Sequence, residues 1–158
     1  MKINLSARDF ILLLLDSDNK KPIVGNLFFQ KEMFLIVEEI CPDLKEELQF
    51  FPYDYGPFSK VLVNLLNELN DYSFIIIENI DNSIRYSITK KGEEYINSVD
   101  FPKEIRDKVT NLKVGSNRLG YKGLLRYVYF NYPKFTTNSK IKNEVLGEGL
   151  WALFQLMF

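Results

Sequence analysis

One helical repeat restricts the fold of this chain more than any other feature of its sequence. From Phe58 to Leu69, apolar residues follow the spacing i, i+3, i+4, i+7, i+8 and i+11, which predicts a helix with one continuous buried stripe. Residues 74–77 then form a run of aromatic and β-branched side chains, which favours a strand. Residues 84–88 alternate apolar and polar side chains, so we expect a returning strand and a β-hairpin.

Two longer helices and one short helix are predicted ahead of this unit. Ser6 and Asp9 form a capping box, which predicts that a helix begins there and runs to about Leu15. A second helix is expected from Gly25–Asn26 to Ile40, and a short amphipathic helix within residues 43–51. The polar residues of the second helix fall into two groups, which predicts one exposed stripe made of Gln30, Lys31, Glu32, Glu38 and Glu39.

Residues 51–57 hold two prolines, one glycine and three aromatic side chains, which predicts a rigid loop. After the hairpin, Thr89 is expected to cap a helix over residues 90–97. The rest of the chain is expected to be helical, with a hinge-like break at Gly115–Gly120.

Three helices followed by a two-stranded hairpin is the order of a winged helix-turn-helix. We therefore predict an α+β, mostly helical fold, with a winged-helix domain at residues 1–100 and a helical C-terminal extension, residues 101–158, packed on it.

Four motifs make the chain similar to a known family. Residues 25–35 (GNLFFQKEMFL) resemble a G-x-x-x-L-Q-K-x-x-F-L helix, and residues 53–59 (YDYGPFS) resemble a Y-x-Y-G-P-Y-S element. Residues 86–92 (YSITKKG) resemble the Y-x-L-T-x-x-G that closes a winged-helix hairpin, and residues 127–133 (YVYFNYP) resemble a Y-V-Y-x-x-Y-P helix end. These motifs occur in the YwgA-like proteins and the related Panacea-type antitoxins, which include phage-associated proteins.

The resemblance covers about residues 23–140 and implies a winged-helix fold with a regulatory or antitoxin-like role. It implies no catalytic residue. The chain departs from the family pattern at Phe28 and Phe29, where polar or small residues are more usual before the glutamine.

The residue types argue against an enzyme. The chain has no histidine, which excludes Ser-His and Cys-His catalysis and histidine metal sites. Cys41 is the only cysteine, so no intrachain disulfide can form, and its place in an apolar helix favours a small core residue. The carboxylates at 38–47 lack the spacing of a calcium loop, which favours a solvated acidic face. We predict no catalytic residue, no metal and no cofactor.

The apolar runs Phe10–Leu15 and Leu150–Phe158 are too short for a signal peptide or a membrane span, so we predict a soluble, cytoplasmic protein that does not enter a membrane.

Charge is distributed unevenly along the chain. Residues 1–100 carry 10 basic and 17 acidic side chains, whereas residues 101–142 carry 10 basic and 2 acidic ones. We predict a winged-helix protein that regulates transcription by binding double-stranded DNA. The helix after Phe58 is the candidate reading helix, and basic residues elsewhere are expected to contact phosphates. The candidate DNA contacts are Lys20, Lys21, Ser59, Lys60, Asn64, Asn67, Arg85, Lys113, Arg118, Lys122 and Arg126.

The alternative is a non-catalytic module that binds a partner protein, as an antitoxin does. Three features favour it: the scarcity of basic residues in the first hundred, the aromatic segment 50–58 and the C-terminal run 150–158. The candidate interaction residues are Trp151, Phe154 and Phe158. Their run predicts either a homodimer interface or a buried terminal helix, and the sequence leaves both open.

Overall fold

The computed structural model describes residues 4–145, a mostly helical α+β arrangement. Within these residues the α-helices are α1 (Ala7–Lys20), α2 (Asn26–Leu35), α3 (Lys45–Leu48), α4 (Lys60–Asp71), α5 (Lys90–Ser98) and α6 (Lys103–Asn131). The strands are β1 (Ile23–Val24), β2 (Phe51–Tyr53), β3 (Gly56–Phe58), β4 (Ile75–Ile80) and β5 (Ser83–Ile88). A π-helical turn, Ile36–Ile40, continues α2, and short 3-10 turns cover Pro42–Leu44 and Pro133–Thr136.

The predicted helix and the hairpin after it are confirmed, but the helix begins later than predicted, because Phe58 belongs to strand β3. α4 begins after Ser59, whose side chain accepts a hydrogen bond from the Leu62 N–H at 3.0 Å and so caps the helix. Its four leucines at positions 62, 65, 66 and 69 are buried in the core. Burial of one leucine side chain stabilises the fold by about 2 kcal/mol, so this stripe fixes which face of α4 is packed.

A three-stranded antiparallel sheet lies beside α4 in the order β1-β5-β4. β4 and β5 pair from Ile75 opposite Ile88 to Ile80 opposite Ser83. Asp81 and Asn82 form the turn with φ of +50° and +63°, the left-handed conformation that two-residue hairpin turns require. The short strand β1 adds Ile23 opposite Tyr86, a pairing that the sequence pattern did not predict.

The core is built around α1 and α2. The Ser6–Asp9 capping box is confirmed, and every side chain from Phe10 to Leu15 is buried. α6 packs against both α1 and α2 and contributes apolar side chains to the same core. The predicted break at Gly115–Gly120 is narrower than expected, since only Gly120 leaves helical geometry, with φ of +71° and ψ of 179°.

Two expectations about local structure are wrong. Residues 51–57 belong to a second β-hairpin, in which Pro52 of β2 lies opposite Pro57 of β3. The expected exposed stripe is wrong for Gln30, Lys31 and Glu32, which are all buried, whereas Glu38 is half-buried and Glu39 is exposed. No helix among residues 4–145 has the length and apolar character needed to cross a membrane.

Candidate functional site

The candidate functional surface is formed by α4 and the β4–β5 hairpin. We call it the α4–hairpin face and define it by the exposed side chains of α4 together with the groove that separates α4 from the hairpin. This groove has a volume of about 220 Å³. Its lining is mainly apolar, with two amide side chains: Asn26, Val63, Leu66, Asn67, Ile77, Ile84 and Tyr86.

The start of α4 is fixed to α2 by a buried glutamine. The Gln30 amide donates to the Ser59 carbonyl at 2.9 Å and accepts from the Ser59 N–H at 2.8 Å. The Ser59 hydroxyl also donates to the Leu48 carbonyl at the end of α3. Both polar backbone groups of Ser59 are therefore satisfied in the core, which holds the first turn of α4 in one position.

A buried lysine fixes the neighbouring hairpin β2–β3. The Lys31 ammonium, on a side chain that is 1% exposed, donates to the Pro57 carbonyl at 3.1 Å. Burial lowers the pKa of Lys31 to about 7. Gly56 has φ of +89°, and a Cβ atom there would lie 2.8 Å from the ring of Tyr129. The glutamine-lysine motif and the tyrosine-glycine-proline motif thus contact each other in the core and stabilise the fold.

A second buried polar group joins α2, α6 and α1. The Ser116 hydroxyl lies 2.7 Å from Glu32 Oε2, while Glu32 Oε1 has no hydrogen-bond partner among the described residues. Burial raises the pKa of Glu32 to about 7. The Lys113 ammonium donates to the carbonyls of Leu15 and Ser17 at 3.1 and 2.7 Å, and burial lowers its pKa to about 8.

These contacts correct two of the candidate DNA contacts. Ser59 and Lys113 were expected on the surface, but both side chains are fully buried and bonded to backbone groups. Ser59 is the cap of α4, and Lys113 satisfies carbonyls where α1 ends. A nucleic acid cannot reach either side chain in this structure.

The remaining candidates on α4 lie together. Lys60, Asn64 and Asn67 are exposed, and their spacing places them on one side of the helix. Arg85 is exposed on the other face of the sheet, because successive strand residues alternate and its neighbours Ile84 and Tyr86 line the groove.

The lysines at the end of α1 and the basic residues of α6 lie on other elements. The Lys20 ammonium is 2.8 Å from the Glu93 carboxylate, whereas Lys21 is exposed. On α6, Arg118 and Lys122 are exposed and Arg126 is half-buried. α6 packs against α1 and α2, whereas α4 packs against α3 and β4, so these residues do not extend the stripe on α4. The candidate interaction residues Trp151, Phe154 and Phe158 lie outside the described residues.

The α4–hairpin face has an excess of negative charge. Of the charged residues at 60–88, Glu78 and Arg85 lie on the other face of the hairpin, which leaves Glu68, Asp71 and Asp81 against Lys60. Arg8 engages Glu68 at 2.8 Å, and Arg85 lies directly opposite Glu78 in the strand register. Asp71 and Asp81 are exposed at the end of α4 and at the hairpin turn. The face therefore combines an apolar groove with acidic surroundings.

Among residues 4–145 no group of three or more Cys, Asp or Glu side chains is placed to hold a metal ion. Comparison with profiles of known protein families and with the sequences of curated proteins gives no match to this chain. The family resemblance therefore rests on the four motifs alone.

Proposed function

We propose that this chain is a non-catalytic winged-helix protein that binds a partner protein through its α4–hairpin face, in an antitoxin-like role. The observation that carries the proposal is the composition of that face. Its groove is lined by four aliphatic side chains, Tyr86 and two asparagines, and its surroundings are net acidic. Apolar anchor sites with a polar rim are typical of protein–protein interfaces.

The order of the elements supports the winged-helix assignment. The helix α1, the short strand β1 and the helices α2 and α4 precede the hairpin, and β1 pairs with the second hairpin strand, β5. α3 and the β2–β3 hairpin are inserted between α2 and α4. The resemblance to the Panacea-type antitoxins points in the same direction, because an antitoxin acts by binding a protein.

The charge distribution favours a protein partner over DNA. Affinity for a DNA duplex comes largely from lysine and arginine side chains that neutralise phosphates. α4 offers only Lys60 for this purpose, and Asp71 lies at its other end. A duplex placed along α4 would also approach Asp81 at the hairpin turn. The face would repel the duplex more than it attracts it.

Site-specific photocrosslinking tests the proposal. A photoreactive residue placed at Ile84, which lines the groove, should give a discrete protein adduct in cells of the source organism. The matched control is Ile76, an exposed isoleucine on the opposite face of the same hairpin. With the adduct partner purified, Ile84→Asp should weaken binding at least about 10-fold, since a charge would enter an apolar contact. Equal crosslinking from both positions, or none from Ile84, would overturn the proposal.

Sequence-specific DNA binding is the second candidate, and one observation favours it. Asn64 and Asn67 are exposed on the same side of α4 as Lys60, and asparagine can form two hydrogen bonds with adenine. If α4 reads DNA, replacing both asparagines with alanine should weaken binding to a selected duplex at least about 10-fold. An unchanged affinity in that double variant would exclude α4 as a reading helix.

A further inference from the structure

We propose that the exposed surface of α6 from Arg118 to Asn131, together with Lys134 in the turn that follows, binds single-stranded nucleic acid, and that it does so independently of the α4–hairpin face. The first observation is charge. Between Asp107 and Glu144 the chain has eight basic residues and no acidic one. Lys113 is buried, and Lys108 and Lys140 are paired with Glu104 and Asp54. Of the other five, Arg118, Lys122 and Lys134 are exposed.

The second observation is that three aromatic rings on the same stretch of α6 are exposed. Tyr121, Tyr127 and Phe130 remain 41%, 36% and 42% exposed. Lys122 and Phe130 are eight residues apart, so they lie two helical turns apart on one side of α6. The opposite side carries Leu124, Leu125, Val128 and Tyr129, all buried.

The acidic side chains at the edges of this face are few. Glu39 accepts a hydrogen bond of 2.5 Å from the Tyr127 hydroxyl, which orients that ring. Glu144 lines a shallow pocket together with Lys122 and Tyr121. Glu38 and Glu39 lie near Tyr132, so carboxylates border this surface at both of its ends.

Single strands fit this chemistry better than duplexes do. An unpaired base can stack on an exposed aromatic ring, and its phosphates can contact neighbouring lysine and arginine side chains. In a duplex the flat faces of the bases are covered by stacking, so Phe130 and the tyrosines would contribute little. The geometry combines the two elements of a single-strand binding surface, a stacking platform and a positive edge.

Fluorescence anisotropy at about 50 mM salt tests the proposal. The two probes are an oligothymidylate of about 15 nucleotides and a duplex of the same length. We expect the single strand to bind at least about 5-fold more tightly than the duplex. The double variant Arg118→Ala and Lys122→Ala should weaken binding at least about 10-fold and lower the salt slope by about 1.4, the value for two phosphate contacts on a single strand. Phe130→Ala should weaken binding about 5- to 10-fold and leave the salt slope unchanged, because stacking releases no counterions.

The matched control removes the same charge elsewhere, with Lys60→Ala and Arg85→Ala on α4 and β5. This control should bind the single strand like the original protein, and circular dichroism should show all variants folded. If the two double variants lose the same binding affinity, the loss reflects net charge alone and the proposal is overturned. A duplex that binds as tightly as the single strand, or no binding of the single strand below about 100 µM, would overturn it as well.

Discussion

α2 and α4 both carry polar residues that a helical pattern assigns to the solvent, but the two helices use them in opposite ways. On α4, Lys60, Asn64 and Asn67 are exposed, as the apolar stripe predicts. On α2, Gln30, Lys31 and Glu32 are buried against other parts of the chain. The difference follows from position: α4 packs on one side, whereas α2 is surrounded by β1, β3 and α6.

A central helix can hold polar side chains when its neighbours present unpaired backbone groups. The chain around Pro57 and Ser59 changes from a strand to a helix, and backbone groups in such a junction need partners when they are buried. Gln30 and Lys31 supply those partners. The polar residues of α2 therefore take the place of regular secondary structure in satisfying the backbone, while those of α4 remain available for a ligand.

The buried lysine gives the largest expected effect. Its pKa of about 7 in the folded protein lies below its ordinary value of 10.5, so the unfolded chain binds more protons between these pH values. Stability should therefore rise from pH 7 towards pH 10, by roughly 4 kcal/mol for this residue. In Lys31→Met this rise should be largely lost, leaving the smaller contribution of Lys113, whose pKa is about 8.

Urea unfolding at several pH values between 7 and 10 measures this effect. The control is Lys45→Met, which replaces an exposed lysine of α3 and should keep the original pH profile. A profile for Lys31→Met that rises as steeply as that of the original protein would mean that Lys31 is charged in the fold.

Gln30→Ala tests the other half of the contrast and should lower the free energy of unfolding by roughly 3–4 kcal/mol. The variant leaves the N–H and the carbonyl of Ser59 buried without partners and opens a small cavity. Asn67→Ala removes an amide of the same type from the exposed side of α4 and serves as the comparison. Similar losses in the two variants, measured by urea unfolding at one pH, would erase the distinction between α2 and α4.

Glu32 should produce a pH effect of the opposite sign. Its pKa of about 7 lies above the ordinary value of 4.5, so the folded protein retains a proton that the unfolded chain has released. Stability should fall as pH rises from 4.5 to 7, by roughly 2–3 kcal/mol for this residue. Glu32→Gln should remove this fall and unfold at higher urea concentration than the original protein at pH 8. Glu46→Gln, at an exposed carboxylate, is the control. If stability still falls between pH 4.5 and pH 7 in Glu32→Gln, the raised pKa of Glu32 is contradicted.

The parts of the fold that local sequence signals determine could be predicted. The caps at Ser6 and Thr89 bond to backbone groups three residues away, and the stripe of α4 and the turn after Ile80 are read from neighbouring residues. The burial of Lys31 could not be predicted in this way, because its partner, the Pro57 carbonyl, lies 26 residues away. The β2–β3 hairpin could not be predicted either, because prolines usually argue against a strand. Here Pro52 and Pro57 lie opposite each other in the hairpin register.

The same limit explains the outcome for the candidate site. Lys60, Asn64 and Asn67 were placed on the surface correctly, since helical spacing alone decides their side of α4. Lys113 was misplaced because the carbonyls it binds, those of Leu15 and Ser17, are nearly a hundred residues away. Its basic neighbours in the sequence gave no signal that this one lysine belongs to the core.

The smallest expected effect concerns the exposed asparagines of α4. Asn64→Ala and Asn67→Ala should each change the free energy of unfolding by less than about 0.5 kcal/mol, in either direction. Alanine has the higher helix propensity, which offsets the small contact that Asn67 makes at the groove. A loss above about 1 kcal/mol in urea unfolding would mean that these amides are held in packed contacts like Gln30. With stability unchanged, any loss of partner or DNA binding in these variants reports a contact made by α4 itself.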